Sequence, residues 1–181
     1  MLRCIQPFYK HGKMKQLLVI FQKAKHSGFF LWILNYALGY AIPFNRPHKI
    51  KITTVHDDGI SVRLPYRRKN LNHLKSIHAC ALATMAEYSS GISLVTTIGT
   101  GFRLIMKNIS VTYHYQAKMD VISTTKFDKK LLDEKIHTPL LSSDAVLFEN
   151  TIEVHDLMTN HICTAVVLWQ IKKWEKVRTN S

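Results

Sequence analysis

Between Ile77 and Ile98 the chain runs through small and apolar residues almost without interruption, with no proline and one interior glycine, Gly91. That pattern predicts a helix apolar on nearly every side, and such a helix has to be buried. The rest of the chain must therefore supply a wrapping. Within the run only His78 and Glu87 belong to the charged or histidine types. A carboxylate inside an apolar helix is costly unless it is paired, hydrogen-bonded or kept protonated, so Glu87 needs a reason that a surface glutamate would not. Ser76 is suited to accept backbone N–H bonds as the N-cap, which would place His78, Ala79 and Cys80 in the first turn. Free N–H groups and the positive end of the helix dipole gather there.

The flanking sequence predicts what does the wrapping. From Lys49, K-I-K-I-T-T-V-H alternates β-branched with polar residues, Asp57-Asp58-Gly59 reads as a turn, and I-S-V-R-L-P-Y resumes the alternation. This is a hairpin, and the basic Arg67-Arg68-Lys69 and a loop from Asn70 to Lys75 follow it. Beyond the helix, residues 102–115, 118–127, 145–154 and 161–171 are strand-like, with a polar connector over 129–143 and a turn at Met158-Thr159-Asn160. A basic tail, Lys172 to Arg178, closes the chain. Consecutive strands on short turns imply an antiparallel sheet, and one with a single apolar face would pack over the helix. The fold class expected is α+β.

Ahead of the hairpin, Met14, Leu17, Leu18 and Phe21 recur at helical spacing, and Ser27-Gly28 separates them from a charge-free run, Phe29 to Phe44. We expect a helical arm over residues 1–44 and a domain over 45–181. The aromatic run is preceded by Lys23, Lys25 and His26, so a signal peptide or membrane anchor has to be considered. It contains Asn35 and Gly39, closes on Pro43, and is shorter than the about 20 apolar residues a spanning helix needs. A packed arm, or one lying at a membrane surface through residues 29–44, is the expectation.

The formal charge is +13 with a pI near 9.8, which implies attraction to anions: nucleic acid, anionic lipid or a phosphate-bearing ligand. No RNA-binding or zinc-finger motif is present, so a specific nucleic-acid partner is not expected. Cys4, Cys80 and Cys163 are odd in number and far apart, which favours a reducing compartment such as the cytoplasm over a disulfide framework. His73 with His78, or His56 beside Asp57 and Asp58, matches no recognised zinc spacing, and no metal is expected. Cys80 reads as a small helix residue, with a nucleophilic role as its alternative.

The element order and the residues around the long helix resemble the hotdog fold, and within it the acyl-CoA thioesterases of the phenylacetic-acid-degradation type. Those carry an Asn, then the His of a His-Gly-Gly six residues later, then an acid nine residues after that His. Asn72, His78 and Glu87 stand at those intervals, and the resemblance extends over residues 45–173. Within that fold the chain resembles a functionally uncharacterised, thioesterase-like family whose domain follows a short N-terminal helical segment. The resemblance implies hydrolysis of a thioester by water, a homodimer or dimer of dimers, and no cofactor beyond the coenzyme A of the substrate. It implies that Glu87 acts as general base or nucleophile, that Asn72 orients the thioester or a water, and that the backbone at Ala79 and Cys80, which replace the glycine pair, polarises the carbonyl. His78 would shape the loop. Some relatives place a hydroxyl residue four positions after the acid. Here that position is Gly91, with Ser90 the nearest substitute. Arg67 and Arg68 would suit the phosphates of coenzyme A. A hotdog hydratase is disfavoured, because that family pairs a helix Asp with a nearby His at another spacing.

Spacing adds an argument of its own. Nine residues at about 100° each set His78 and Glu87 half a turn apart, so one helix cannot aim both at one point, and a shared site would need two chains. Against this stand plainer readings: a buried glutamate bonded to its surroundings, a structural histidine, Asn72 as a turn residue, and basic runs that are simply solvated. A non-catalytic acyl-CoA or lipid-binding domain is the competing function.

Overall fold

The fold is described from a computed structural model over residues 11–176. Cys4, the Met14 side chain and the tail beyond Lys176 lie outside the described residues. Two helices, α1 (His11–Ala24) and α2 (Gly28–Ala41), precede the hairpin β1 (Lys51–Val55) and β2 (Gly59–Leu64). The long helix α3 (Ala79–Ile98) follows, then β3 (Phe102–Tyr113), β4 (Val121–Lys126), β5 (Ala145–Asp156) and β6 (His161–Lys173). All six strands form one sheet in the order β1-β2-β4-β5-β6-β3, every neighbouring pair antiparallel. α3 packs against β2, β3, β4, β5 and β6, so the predicted α+β arrangement of a sheet over a central helix is observed.

The reason the sheet accepts this helix is written in its alternation. Phe148, Asn150, Ile152 and Val154 of β5 and Cys163, Ala165, Val167, Trp169 and Ile171 of β6 are buried at every second position, as period-two strands require. β1 departs from strict alternation. A register shift between Ile52 and Thr54 turns Val55 inward along with Ile52, the usual effect of an extra residue in one strand.

β4 and β5 pair only at Val121↔Asp156 and Ile122↔His155, and hydroxyls of α3 reach both strands. Ser89 Oγ bonds Ser123 Oγ at 2.9 Å and Thr125 Oγ1 at 2.8 Å on β4. Ser90 Oγ donates to Asn150 Oδ1 on β5 at 2.8 Å. The serines that make the helix look merely small in sequence thus fix its rotation over the sheet.

The arm and the domain share one core. Leu17, Phe21, Leu34 and Leu38 are buried in the same cluster as the strand residues, and Asn35 clamps α2 to β1, with its Nδ2 donating to the Ile52 carbonyl at 2.9 Å and its Oδ1 accepting from the Ile52 N–H at 2.8 Å. The connector over 129–143 is less polar in role than in composition: short helical turns at Lys129–Leu132, Asp133–His137 and Pro139–Ser142 bury Leu132, Ile136 and Leu140.

Candidate functional site

The loop between β2 and α3 is organised by two asparagines. Asn70, 1% exposed, donates from Nδ2 to the His48 and Pro65 carbonyls, both at 2.9 Å, and pairs its Oδ1 with His48 Nδ1 at 3.0 Å. Its own carbonyl accepts the His78 N–H at 2.8 Å, which brings the Arg67 to Lys69 turn and the start of α3 together. Asn72 Oδ1 accepts from the backbone N–H groups of Leu74 and Ser76 and from the Ser76 hydroxyl. The Asn72 oxygen is therefore committed to the turn, and only its Nδ2 is left for a ligand.

The helix begins two residues later than the sequence pattern suggests. Ser76 is not the N-cap. Its hydroxyl is turned to Asn72, and the cap is His78, whose Nδ1 accepts the Cys80 N–H at 3.0 Å. A side-chain acceptor two residues ahead of an N–H is what the first helical turn calls for, and a histidine can supply it when Nδ1 is unprotonated. One consequence bears on the expected chemistry. The Cys80 N–H, expected to be free, is engaged by His78, whereas the Ala79 N–H makes no hydrogen bond among the described residues. His78, Ala79 and Cys80 are all exposed.

Ser90 is also not where a ligand would meet it. It is fully buried, accepts a bond from Trp169 Nε1 at 2.6 Å and donates to Asn150. Gly91 explains itself through the same indole: a Cβ at position 91 would lie 3.1 Å from Cη2 and Cζ2 of Trp169, inside the about 3.5–4.0 Å of a normal carbon contact. Trp169 fills the room a side chain at 91 would take. Arg67 is half-buried and Arg68 exposed, and among the described residues neither side chain forms a hydrogen bond or ion pair.

Glu87 is half-buried. Burial pushes its carboxyl above the ordinary carboxylate value, with no cation or hydrogen bond among the described residues drawing it back. At about 100° per residue, Cys80, Thr84, Glu87 and Gly91 fall on one stripe of α3, and these positions are exposed or half-buried where the opposite face, with Leu82, Met85, Ala86 and Ser89, is buried. Glu87 and Cys80 thus share a face but stand about 10 Å apart along the axis. Tyr113, at the end of β3, donates its hydroxyl to the Ala79 carbonyl at 3.0 Å, and burial, then Cys163 and Cys80 nearby, raise the phenol. Nothing in the sequence marks Tyr113 as part of the helix start, since the contact joins residues far apart in the chain. No cluster of three or more metal-ligating side chains occurs among the described residues.

The family described as domain of unknown function DUF4442 matches residues 31–174. The chain belongs to this family. The DUF4442 match starts within α2, at residue 31, and takes in the whole sheet and α3. No curated protein sequence matches significantly. Among solved structures, a Pseudomonas aeruginosa protein of unknown function described as a probable thioesterase is similar at a TM-score of 0.68 and 18% identity, over 77% of this chain and 93% of that one. A thioesterase from Haemophilus influenzae is similar at a TM-score of 0.64 and 11% identity, over 87% and 99% of the two chains. A Chlorobaculum tepidum protein of unknown function gives a TM-score of 0.68 at 10% identity, over 85% and 94%. At such identities the likeness establishes that this DUF4442 domain has the fold of thioesterase structures.

Proposed function

We propose that this protein is a hotdog-type acyl-CoA thioester hydrolase that works as a homodimer, each site formed by the α3 start of one protomer and the partner subunit's Glu87. The single observation that carries the reading is the Glu87 carboxyl: half-buried, unpaired among the described residues, raised by burial, and set on the half-buried face of α3 rather than the face packed under the sheet. A carboxyl so placed is a stronger base towards water than an ordinary carboxylate. About 12 Å along the axis separate it from the Ala79 N–H of its own helix, too far for one thioester carbon to meet both. A second chain related by a two-fold axis removes that mismatch.

In the proposed reaction the thioester carbonyl lies against the Ala79 N–H at the positive end of α3, with Asn72 Nδ2 beside it. Glu87 takes a proton from water as the oxygen adds to the carbonyl carbon. The oxyanion is held at the helix start, the C–S bond breaks, and the coenzyme A thiolate leaves and is protonated. Direct attack by the Glu87 carboxylate, giving an anhydride that water then opens, uses the same groups. Arg67, Arg68 and Lys69, on the loop leading to α3, would meet the phosphates of coenzyme A.

One observation favours a second reading, a domain that binds acyl-CoA without turning it over. His78 Nδ1 occupies the Cys80 N–H, leaving one donor rather than two for an oxyanion. Hydrolysis of a panel of acyl-CoA thioesters of increasing chain length, followed by thiol release, decides between them. Turnover that is lost in Glu87→Gln supports the hydrolase, and binding with no thiol release on any chain length contradicts it.

A further inference from the structure

α2 presents a second surface that the hydrolase reading leaves unused. Its inward face is fixed by Leu34 and Leu38, both buried, and by the Asn35 clamp on β1. The opposite face is therefore held outward. It carries Phe29, Trp32, Tyr36 and Tyr40, exposed at 65%, 63%, 71% and 70%, and Phe44 continues the row just past the helix at 70%. The four helical positions fall within an arc of about 80° at about 100° per residue. Phe29 stacks on Trp32 and Trp32 on Tyr36, with ring centroids 6.3 and 6.0 Å apart, so the row is ordered before anything docks on it.

Beside the row lies a cleft of about 290 Å³ between α2, the turn after it and β1, lined by Trp32, Tyr36 and Tyr40 and by Arg46, Lys49 and Lys51. Asn45 lines the same cleft. It is 6% exposed, and its Nδ2 is buried with no hydrogen-bond partner among the described residues. A buried amide donor lacking an acceptor calls for one, and three cations with no acidic side chain in the lining say that the acceptor is anionic. The charge asymmetry extends further: none of the first 56 residues is Asp or Glu.

We propose that this aromatic row and basic cleft form a docking surface for an anionic lipid bilayer, with a headgroup phosphate received by Asn45 Nδ2, Arg46, Lys49 and Lys51. Trp and Tyr have an apolar body and a polar tip and favour the headgroup level of a membrane. No helix among the described residues is long and apolar enough to cross a bilayer, and α2, fixed on β1, would lie along the surface. Charge argues against a second copy as the occupant. A two-fold contact through this face would set Arg46, Lys49 and Lys51 towards their own counterparts, with no acidic residue in the lining to offset them. The proposal is independent of whether the Glu87 site hydrolyses thioesters.

The test is flotation of the full chain with phosphatidylcholine vesicles with and without phosphatidylglycerol. Binding is expected only with phosphatidylglycerol. It should weaken at least about tenfold in Trp32→Ala/Tyr36→Ala, and by a similar factor in Arg46→Glu/Lys49→Glu. Brominated acyl chains should quench the tryptophan emission of the unaltered protein, and Trp32→Phe should lose that quenching, which gives a readout that does not depend on the double variants. No vesicle binding, equal binding to neutral vesicles, or unchanged binding in both double variants overturns the proposal. Conversion of a dimer to a monomer by Trp32→Ala/Tyr36→Ala would also overturn it, because a second copy would then be the occupant.

Discussion

A glutamate with no partner among the described residues, set in an apolar helix, is the most informative residue here, and three outcomes follow from its environment. If the Glu87 carboxylate takes a proton from water, Glu87→Gln lowers turnover by about a hundredfold or more with the assembly intact. In the unaltered protein kcat/KM rises with pH through a carboxyl value displaced above the ordinary range and then levels. Stability should move the other way. Burial raises the folded-state carboxyl, so the folded state binds its proton more tightly than the unfolded chain, and stability falls as pH rises from the ordinary carboxylate value through the raised one. Glu87→Gln lacks that fall. Thermal unfolding should show the variant melting above the unaltered protein at about pH 8, with the two converging near about pH 4. His78 carries a further prediction: His78→Ala removes the acceptor of the Cys80 N–H and should cost about 1 kcal/mol in urea unfolding. Glu87 could be singled out in sequence because one charge in a long apolar run breaks a simple pattern. The capping role of His78 could not, because Ser76 is the better N-cap by residue type and only the turn made by Asn72 takes its hydroxyl away.

Elements were more legible than their ends. Alternation, helical spacing and turn residues mark two N-terminal helices, a hairpin, a central helix and four further strands, since each pattern is local and each element buries a face of its own. What local pattern does not carry is the close approach of neighbours. Gly59 reads as the last residue of a turn, yet it lies in β2 against β4, where a Cβ would come within 1.8 Å of the Thr125 carbonyl oxygen. Gly59→Ala should force that ladder apart and cost about 3 kcal/mol or more, measured as a shift in the urea midpoint. Asn70 is similarly quiet in sequence, one of several polar residues in a loop. Its buried side chain holds the loop to His48 and Pro65, so Asn70→Ala should destabilise by about 3 kcal/mol, because buried carbonyls lose their donor. The phase change in β1 was equally hidden, as an inserted residue alters which side chains face inward without altering composition.

At the scale of the molecule, the chain belongs to the DUF4442 family and has the fold of thioesterase structures, while the two-chain site is our proposal, argued from spacing along α3. Angle alone argued for two chains when His78 was placed on the helix. With His78 as the cap, the argument rests instead on the about 12 Å along the axis between Ala79 at the helix start and Glu87. Ala79 allows this to be tested cleanly. It is the first helical residue, where proline is tolerated and removes only the N–H, and His78 before it already has the extended conformation that a following proline requires, at φ −66° and ψ 139°. Ala79→Pro and Glu87→Gln should each abolish most turnover alone. The decisive measurement is thiol release from acyl-CoA by an equal mixture of the two variants, unfolded and refolded together. Half the dimers would then be mixed, each with one intact site of two, so the account predicts recovery of about a quarter of the unaltered turnover. A mixture no more active than either variant alone would contradict it.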